Sequence, residues 1–190
     1  MKVRAMNKQA LIPSGISSLR LVALPLFLYF FSTGATTLCL LIFALAQVTD
    51  LIDGYVARKL KVTSRFGAYF DAVTDFVLIS GVFAAFTVSN YYPAWMLLLI
   101  TLSFAQFIAS SLYSKKLYDP LGKYIGGILY IAITLTLLSP TPATFIIVNV
   151  VFPLFAITSF VTRIVSFTSI YRRTLIIEKT SLRHTKGHTA

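Results

Sequence analysis

Apolar runs of about 17 to 25 residues, the length needed to cross a hydrocarbon core roughly 30 Å thick, follow one another almost without a break from residue 17 to residue 166. A chain of 190 residues cannot hide that much apolar surface in a soluble core, so lipid must be its main solvent. Its 57% hydrophobic and 12% charged residues agree, since an ordinary soluble domain is about a quarter charged. Little chain remains for a second domain. Residues 1–190 read as one membrane-embedded domain that ends in a basic cytoplasmic tail from about residue 171.

Turn-formers divide the runs into six predicted helices near 17–33, 36–57, 66–88, 92–113, 122–139 and 143–166. The expected fold is therefore all-α and polytopic, with six transmembrane helices in antiparallel succession. Residues 2–12 mix basic and apolar side chains, as in a short amphipathic segment lying in the membrane interface or in a solvated arm. Lys2, Arg4 and Lys8 before an apolar stretch imitate a signal peptide, but no A-x-A site occurs at 31–37, and Arg20 and Pro25 suit a retained helix better. The Phe and Tyr side chains are expected mainly at lipid-facing and interfacial positions. Cys39 is the single cysteine, which excludes an intrachain disulfide.

A net charge of +11 would suggest nucleic acid in a soluble protein, but here the placement of the charges decides. With the amino terminus cytoplasmic, the outer loops near 34, 90 and 140 contain no Lys or Arg, and all 17 basic residues fall on the inner side. Basic residues in short loops set orientation, so both termini are expected in the cytoplasm. The basic excess implies a membrane partner and no nucleic acid.

Four of the six acidic residues, Asp50, Asp53, Asp71 and Asp75, fall inside predicted spans that flank one cytoplasmic loop. A carboxylate at membrane depth costs several kcal/mol unless it is paired or lines a polar cavity, so it marks function by default. Asp50 and Asp53 are spaced i, i+3 and Asp71 and Asp75 i, i+4, which places each pair on one helical face. Counting about 1.5 Å per residue from the loop ends, Asp53 and Asp71 lie about 8 to 9 Å deep and Asp50 and Asp75 about 12 to 15 Å deep. The two pairs therefore match across an antiparallel hairpin.

Clustered carboxylates repel and would take up protons unless something positive lay between them. Oxygen-only ligands without nearby His or Cys favour a hard cation, Mg²⁺ or Mn²⁺ before Zn²⁺, and two such ions suit in-line displacement at phosphorus. The plainer alternative is that the aspartates tie down the loop through Arg58, Lys59, Lys61 and Arg65. Gly54, Ala57 and Gly67 line the same face, where small side chains would let a nucleotide approach the helix backbones or let the helices pack closely. Arg58 is available for a phosphate. Two other classes are a divalent-cation transporter and a non-catalytic membrane scaffold. Neither accounts for the fixed spacing, and a transporter predicts acidic residues at the midplane or on both sides.

These residues spell D50-L-I-D53-G54-Y-V-A57-R58, eight residues, then G67-A-Y-F-D71-A-V-T-D75. The pattern resembles the CDP-alcohol phosphatidyltransferase signature, D-x2-D-G-x2-A-R-x8-G-x3-D-x3-D, at every fixed position. Upstream, residues 12–20 with Pro25 resemble the family's amino-terminal I-P-N-x-L-T-x2-R-x4-P segment, with Ser14 in place of the usual Asn and Ile16 in place of Leu. The resemblance implies a six-helix membrane enzyme, usually a homodimer, that transfers a phosphatidyl-type group from a CDP-lipid donor to a small alcohol acceptor and releases CMP. It further implies that Asp50, Asp53, Asp71 and Asp75 hold two Mg²⁺ or Mn²⁺ ions, that Asp75 is also the base, and that Gly54, Ala57, Arg58 and Gly67 form the nucleotide pocket.

For a phosphate-bearing acceptor such as glycerol 3-phosphate or an inositol phosphate, the candidate cations in the second half are Lys115, Lys116, Lys123 and Arg163. The same residues also serve as positive-inside anchors. Gly126 and Gly127 are expected to permit close packing or a bend of the fifth helix.

Overall fold

The computed structural model describes residues 19–59, 65–113 and 124–187, with the side chains of 53, 54, 56–58, 65, 66, 68, 110–113, 166, 167 and 169–187 excluded. Residues 2–12, the 60–64 part of the first inner loop, and Lys115, Lys116 and Lys123 lie outside the described residues. Among the described residues the chain is entirely helical: α1 (Leu19–Ser32), α2 (Thr36–Lys59), α3 (Arg65–Val88), α4 (Trp95–Tyr113), α5 (Ile125–Leu138) and α6 (Pro142–Gly187).

The first five helices fall within a few residues of the expected segments. The sixth does not, because α6 continues as helix to Gly187, well past the expected end near 166. The sequence after the apolar run is rich in helix formers such as Leu, Ile, Arg, Lys and Glu, and no Gly or Pro interrupts it before Gly187.

The turns after α1 and α3 share one device. At the end of α1, the Ala35 N–H donates to the Phe30 carbonyl at 3.0 Å and the Gly34 N–H donates to the Phe31 carbonyl at 3.1 Å. This is a Schellman cap, and it requires a left-handed residue, supplied by Gly34 at φ 74°. At the end of α3, Tyr91 donates to Phe86 at 2.9 Å and Asn90 to Thr87 at 3.0 Å. Asn90 takes the left-handed position at φ 60°, a conformation that Asn tolerates better than most residues.

Helix α1 lies in the groove between α2 and α3, while α5 closes over α2 and α3 and α6 packs on α4 and α5. The seat of α1 on α3 is close: a Cβ on Gly81 would stand 2.6 Å from Leu24 Cδ1. The core is aromatic, with Phe27, Phe43, Phe83, Phe86 and Phe152 fully buried. Tyr92 is buried beside them and its hydroxyl meets Thr136 Oγ1 at 2.6 Å. The aromatic residues are thus not confined to the lipid face, because ring-on-ring packing here replaces the small-residue contacts common between membrane helices. Cys39 is buried in this core.

Large apolar side chains also cover the outside, among them Leu41, Leu45, Val88, Leu98, Ile131, Ile146 and Leu154. Exposed apolar surface of that extent marks a face that meets lipid or another protein. Two helical stretches, Tyr69–Val88 and Pro142–Val165, are long and apolar enough to cross a membrane. The apolar parts of the other four helices are shorter as described, Leu19–Ser32, Thr36–Ile52, Trp95–Ala109 and Ile125–Leu138. Among the described residues two helices are thus of span length, beside four shorter apolar helices.

Candidate active site

Helices α1, α2 and α3 bring four functional groups together around Arg20. This side chain sits on the first turn of α1 and is only 1% exposed. A guanidinium so deeply buried is tolerable only if it is paired and hydrogen-bonded. Its Nη2 pairs with Asp50 Oδ1 on α2, and its Nη1 pairs with Asp75 Oδ1 on α3. The same Nη1 lies 3.4 Å from Thr74 Oγ1 and 3.5 Å from the Asp71 carbonyl oxygen. Thr74 is itself buried and donates its hydroxyl to that carbonyl at 2.9 Å.

Asp75 receives a further donor from α5, since the Tyr130 hydroxyl donates to Asp75 Oδ1 at 2.6 Å. Helices α1, α3 and α5 therefore meet at one carboxylate oxygen. Asp50 and Asp75 keep 35% and 30% of their side-chain surface exposed, so each is held from within the protein and open on its outer side.

The expected face is present in outline. Asp50 and Asp75, assigned matched depths on facing helices, do converge, and Asp71 and Gly67 lie on the preceding turns of α3. The side chains of Asp53, Gly54, Ala57 and Arg58 lie outside the described residues, though their backbone continues the α2 helix. Among the described residues, no group of three His, Cys, Asp or Glu side chains is gathered tightly enough to hold a metal ion. What lies between Asp50 and Asp75 is Arg20. The donor set still fits a hard divalent cation: two carboxylates from opposite helices converge on one positive group, with exposed surface left on each. Arg163 is buried on α6.

Next to Asp75, a cavity of about 190 Å³ opens between α3, α4 and α5. Phe76, Ile79, Phe104 and Leu129 make its walls apolar, and Asp75 and Ser103 supply polar atoms. Gly126 lines it too, and a Cβ there would meet nothing within 4 Å among the described residues. The same holds at Gly127. The expectation of close packing at these glycines is therefore overturned: Gly126 leaves room beside the cavity instead of admitting a neighbouring helix.

Arg20 and Tyr130 were not picked out as site residues by sequence reasoning. Arg20 had a usable signal, because a cation inside an apolar run must find a partner. Tyr130 had none, being one aromatic in an apolar helix.

The family model for CDP-alcohol phosphatidyltransferases matches residues 10–170 of this chain, and the chain belongs to that family. It is also similar to curated proteins named CDP-diacylglycerol–glycerol-3-phosphate 3-phosphatidyltransferase. Those from Pectobacterium atrosepticum, Sodalis glossinidius and Yersinia enterocolitica are 39%, 38% and 36% identical to it over 111 residues. That stretch is 57% of this chain, and the chain spans 58% of the length of these relatives.

Proposed function

We propose that the chain transfers a phosphatidyl group from a CDP-lipid to the hydroxyl of glycerol 3-phosphate, releasing CMP. The observation that carries this reading is the convergence of Asp50 and Asp75 from facing helices on one cationic point, within the signature segment of the family. The acceptor is the one for which the similar proteins of Pectobacterium atrosepticum and Sodalis glossinidius are named.

In this reading Asp50, Asp53, Asp71 and Asp75 hold one or two Mg²⁺ or Mn²⁺ ions, which when bound supply charge neutralisation at the donor pyrophosphate. Gly54, Ala57 and Gly67 leave room for the cytidine nucleotide, and Arg58 binds a phosphate oxygen. The acceptor oxygen forms a bond to the lipid-bearing phosphorus. The bond from that phosphorus to the bridging oxygen breaks, and CMP leaves with the oxygen. The acceptor proton passes to the Asp75 carboxylate, which the Tyr130 hydroxyl holds in orientation. Hydrocarbon of the donor enters the apolar cavity beside Asp75, where a dianionic acceptor would find no cation among the described lining residues. The acceptor phosphate is left to Lys115, Lys116, Lys123 and Arg163.

The proposed topology has six spans, with both termini and the active site cytoplasmic, as the distribution of basic residues supports. A homodimer in the membrane is part of the same reading. The test is CMP release by purified protein with Mg²⁺, CDP-diacylglycerol and a panel of acceptors. Release with glycerol 3-phosphate above that with inositol phosphate or free glycerol is the expected result, and equal background for all acceptors overturns it.

A further inference from the structure

Arg20 has a role that charge balance alone does not describe. We propose that Arg20 is an internal counter-cation that joins Asp50 to Asp75 while no divalent ion is bound and releases them when one binds. This rests on the reading of those aspartates as metal ligands.

The guanidinium uses one nitrogen for each carboxylate, and in each case the partner is an Oδ1 atom on a different helix. A divalent cation shared by the same two side chains would stand against the guanidinium. Two like charges at that separation, at a site where Arg20 is almost wholly screened from water, repel strongly. Engagement of Arg20 and loading of the ion are therefore mutually exclusive.

The surroundings hold the engaged state without committing the helix to it. Leu24, one turn along from Arg20, fills the space that a side chain at Gly81 would take, so the backbone of α1 is seated against α3. The exchange is then a swing of the Arg20 side chain and not a movement of the helix. Thr74 Oγ1 and the Asp71 carbonyl lie at 3.4 and 3.5 Å from Nη1, just beyond good hydrogen-bond length. They are neutral acceptors, so they support the engaged guanidinium without adding a charge. A ligand that binds only one of two states binds more weakly by the fraction of protein in the competent state. Arg20 thus lowers ion affinity, and in return it stabilises the ion-free protein by keeping two carboxylates from facing each other unpaired.

The experiment is a titration of the detergent-purified full chain with Mn²⁺, followed by electron paramagnetic resonance. Wild type, Arg20→Gln and Arg20→Lys are compared, and thermal unfolding is recorded with and without Mn²⁺. Arg20→Gln should bind Mn²⁺ about tenfold more tightly if the engaged state holds about nine-tenths of the ion-free protein. It should also unfold at a lower temperature without the ion and gain more from Mn²⁺ than wild type does. Arg20→Lys, which keeps the charge but not the two-pronged geometry, should fall between the two, and it serves if Arg20→Gln cannot be purified without the ion. A purely structural Arg20 predicts equal or weaker Mn²⁺ binding in both variants, and that result overturns the proposal while leaving the metal reading intact. Absence of Mn²⁺ binding in wild type and in both variants overturns the two together.

Discussion

The Tyr130 hydroxyl on α5 and the Asp75 carboxylate on α3 are joined by a 2.6 Å hydrogen bond across 55 residues of sequence. The bond ends on the same Oδ1 that Arg20 of α1 engages. One oxygen therefore fixes three helices relative to one another, and it belongs to the residue proposed as the base. A general base must be held in place to act, since its contribution depends on alignment with the proton it takes.

Replacing Asp75 with Asn keeps the shape of the side chain and removes its basicity. Turnover should fall by at least about a hundredfold, the low end of what positioned acid–base groups contribute. Thermal unfolding in detergent should remain cooperative, because Arg20 retains Asp50. Assay of CMP release beside a melting curve checks both, and turnover at the wild-type level would refute the role.

Tyr130→Phe removes only the hydroxyl. A hydrogen bond to a charged group contributes about 1.5 to 3 kcal/mol, so kcat should fall about tenfold or more. The KM for the CDP-lipid should change little, because the hydroxyl's bond is to the Asp75 carboxylate. Steady-state kinetics separates the two effects, and an unchanged kcat would show that Asp75 needs no such support.

Gly81→Ala places a methyl group 2.6 Å from Leu24 Cδ1. Overpacking of this kind costs about 1 to 3 kcal/mol. Leu24→Ala in the same chain should recover part of the loss, because it empties the contested space. A double-mutant comparison of unfolding midpoints checks this, and additive losses would contradict the close seating of α1.

At Gly34 the cost has a different origin. Its φ of 74° is left-handed and nothing among the described residues lies within 4 Å of the Cβ position, so Gly34→Ala should lose about 1 kcal/mol from backbone strain alone. A midpoint shift as large as that of Gly81→Ala would mean that the turn is packed after all.

If the cavity beside Asp75 receives hydrocarbon of the donor, then Gly126→Leu, which projects into it, should raise the KM for CDP-diacylglycerol several-fold. The KM for glycerol 3-phosphate should stay within about twofold, since uniform loss of binding to one substrate leaves the other untouched. Varying each substrate in turn gives the answer, and an equal rise in both would place the acceptor there instead.

Much of this architecture was readable from local pattern. Span-length apolar runs punctuated at Gly34, Asn90 and Pro140 marked five helices to within a few residues, and counting from the loop ends gave Asp50 and Asp75 the matched depths at which they converge. The pairing of Arg20 with partners 30 and 55 residues away was not readable, because it depends on how α1 drops between α2 and α3. Helical periodicity carries no information about that placement. The length of α6 was missed for the opposite reason. Its apolar stretch ends near residue 166 while its helix propensity continues, and hydropathy registers only the first. Gly126 was misjudged because a glycine in a membrane helix serves close packing and open space alike, and only the neighbouring helices decide which.

The central claim is that the facing carboxylates of α2 and α3 work through a divalent cation. The most direct measurement is CMP release from CDP-diacylglycerol and glycerol 3-phosphate by protein stripped with EDTA, before and after Mg²⁺ or Mn²⁺ is restored. The account predicts loss of activity to background on stripping and full recovery on readdition. Undiminished CMP release by the stripped protein would contradict it.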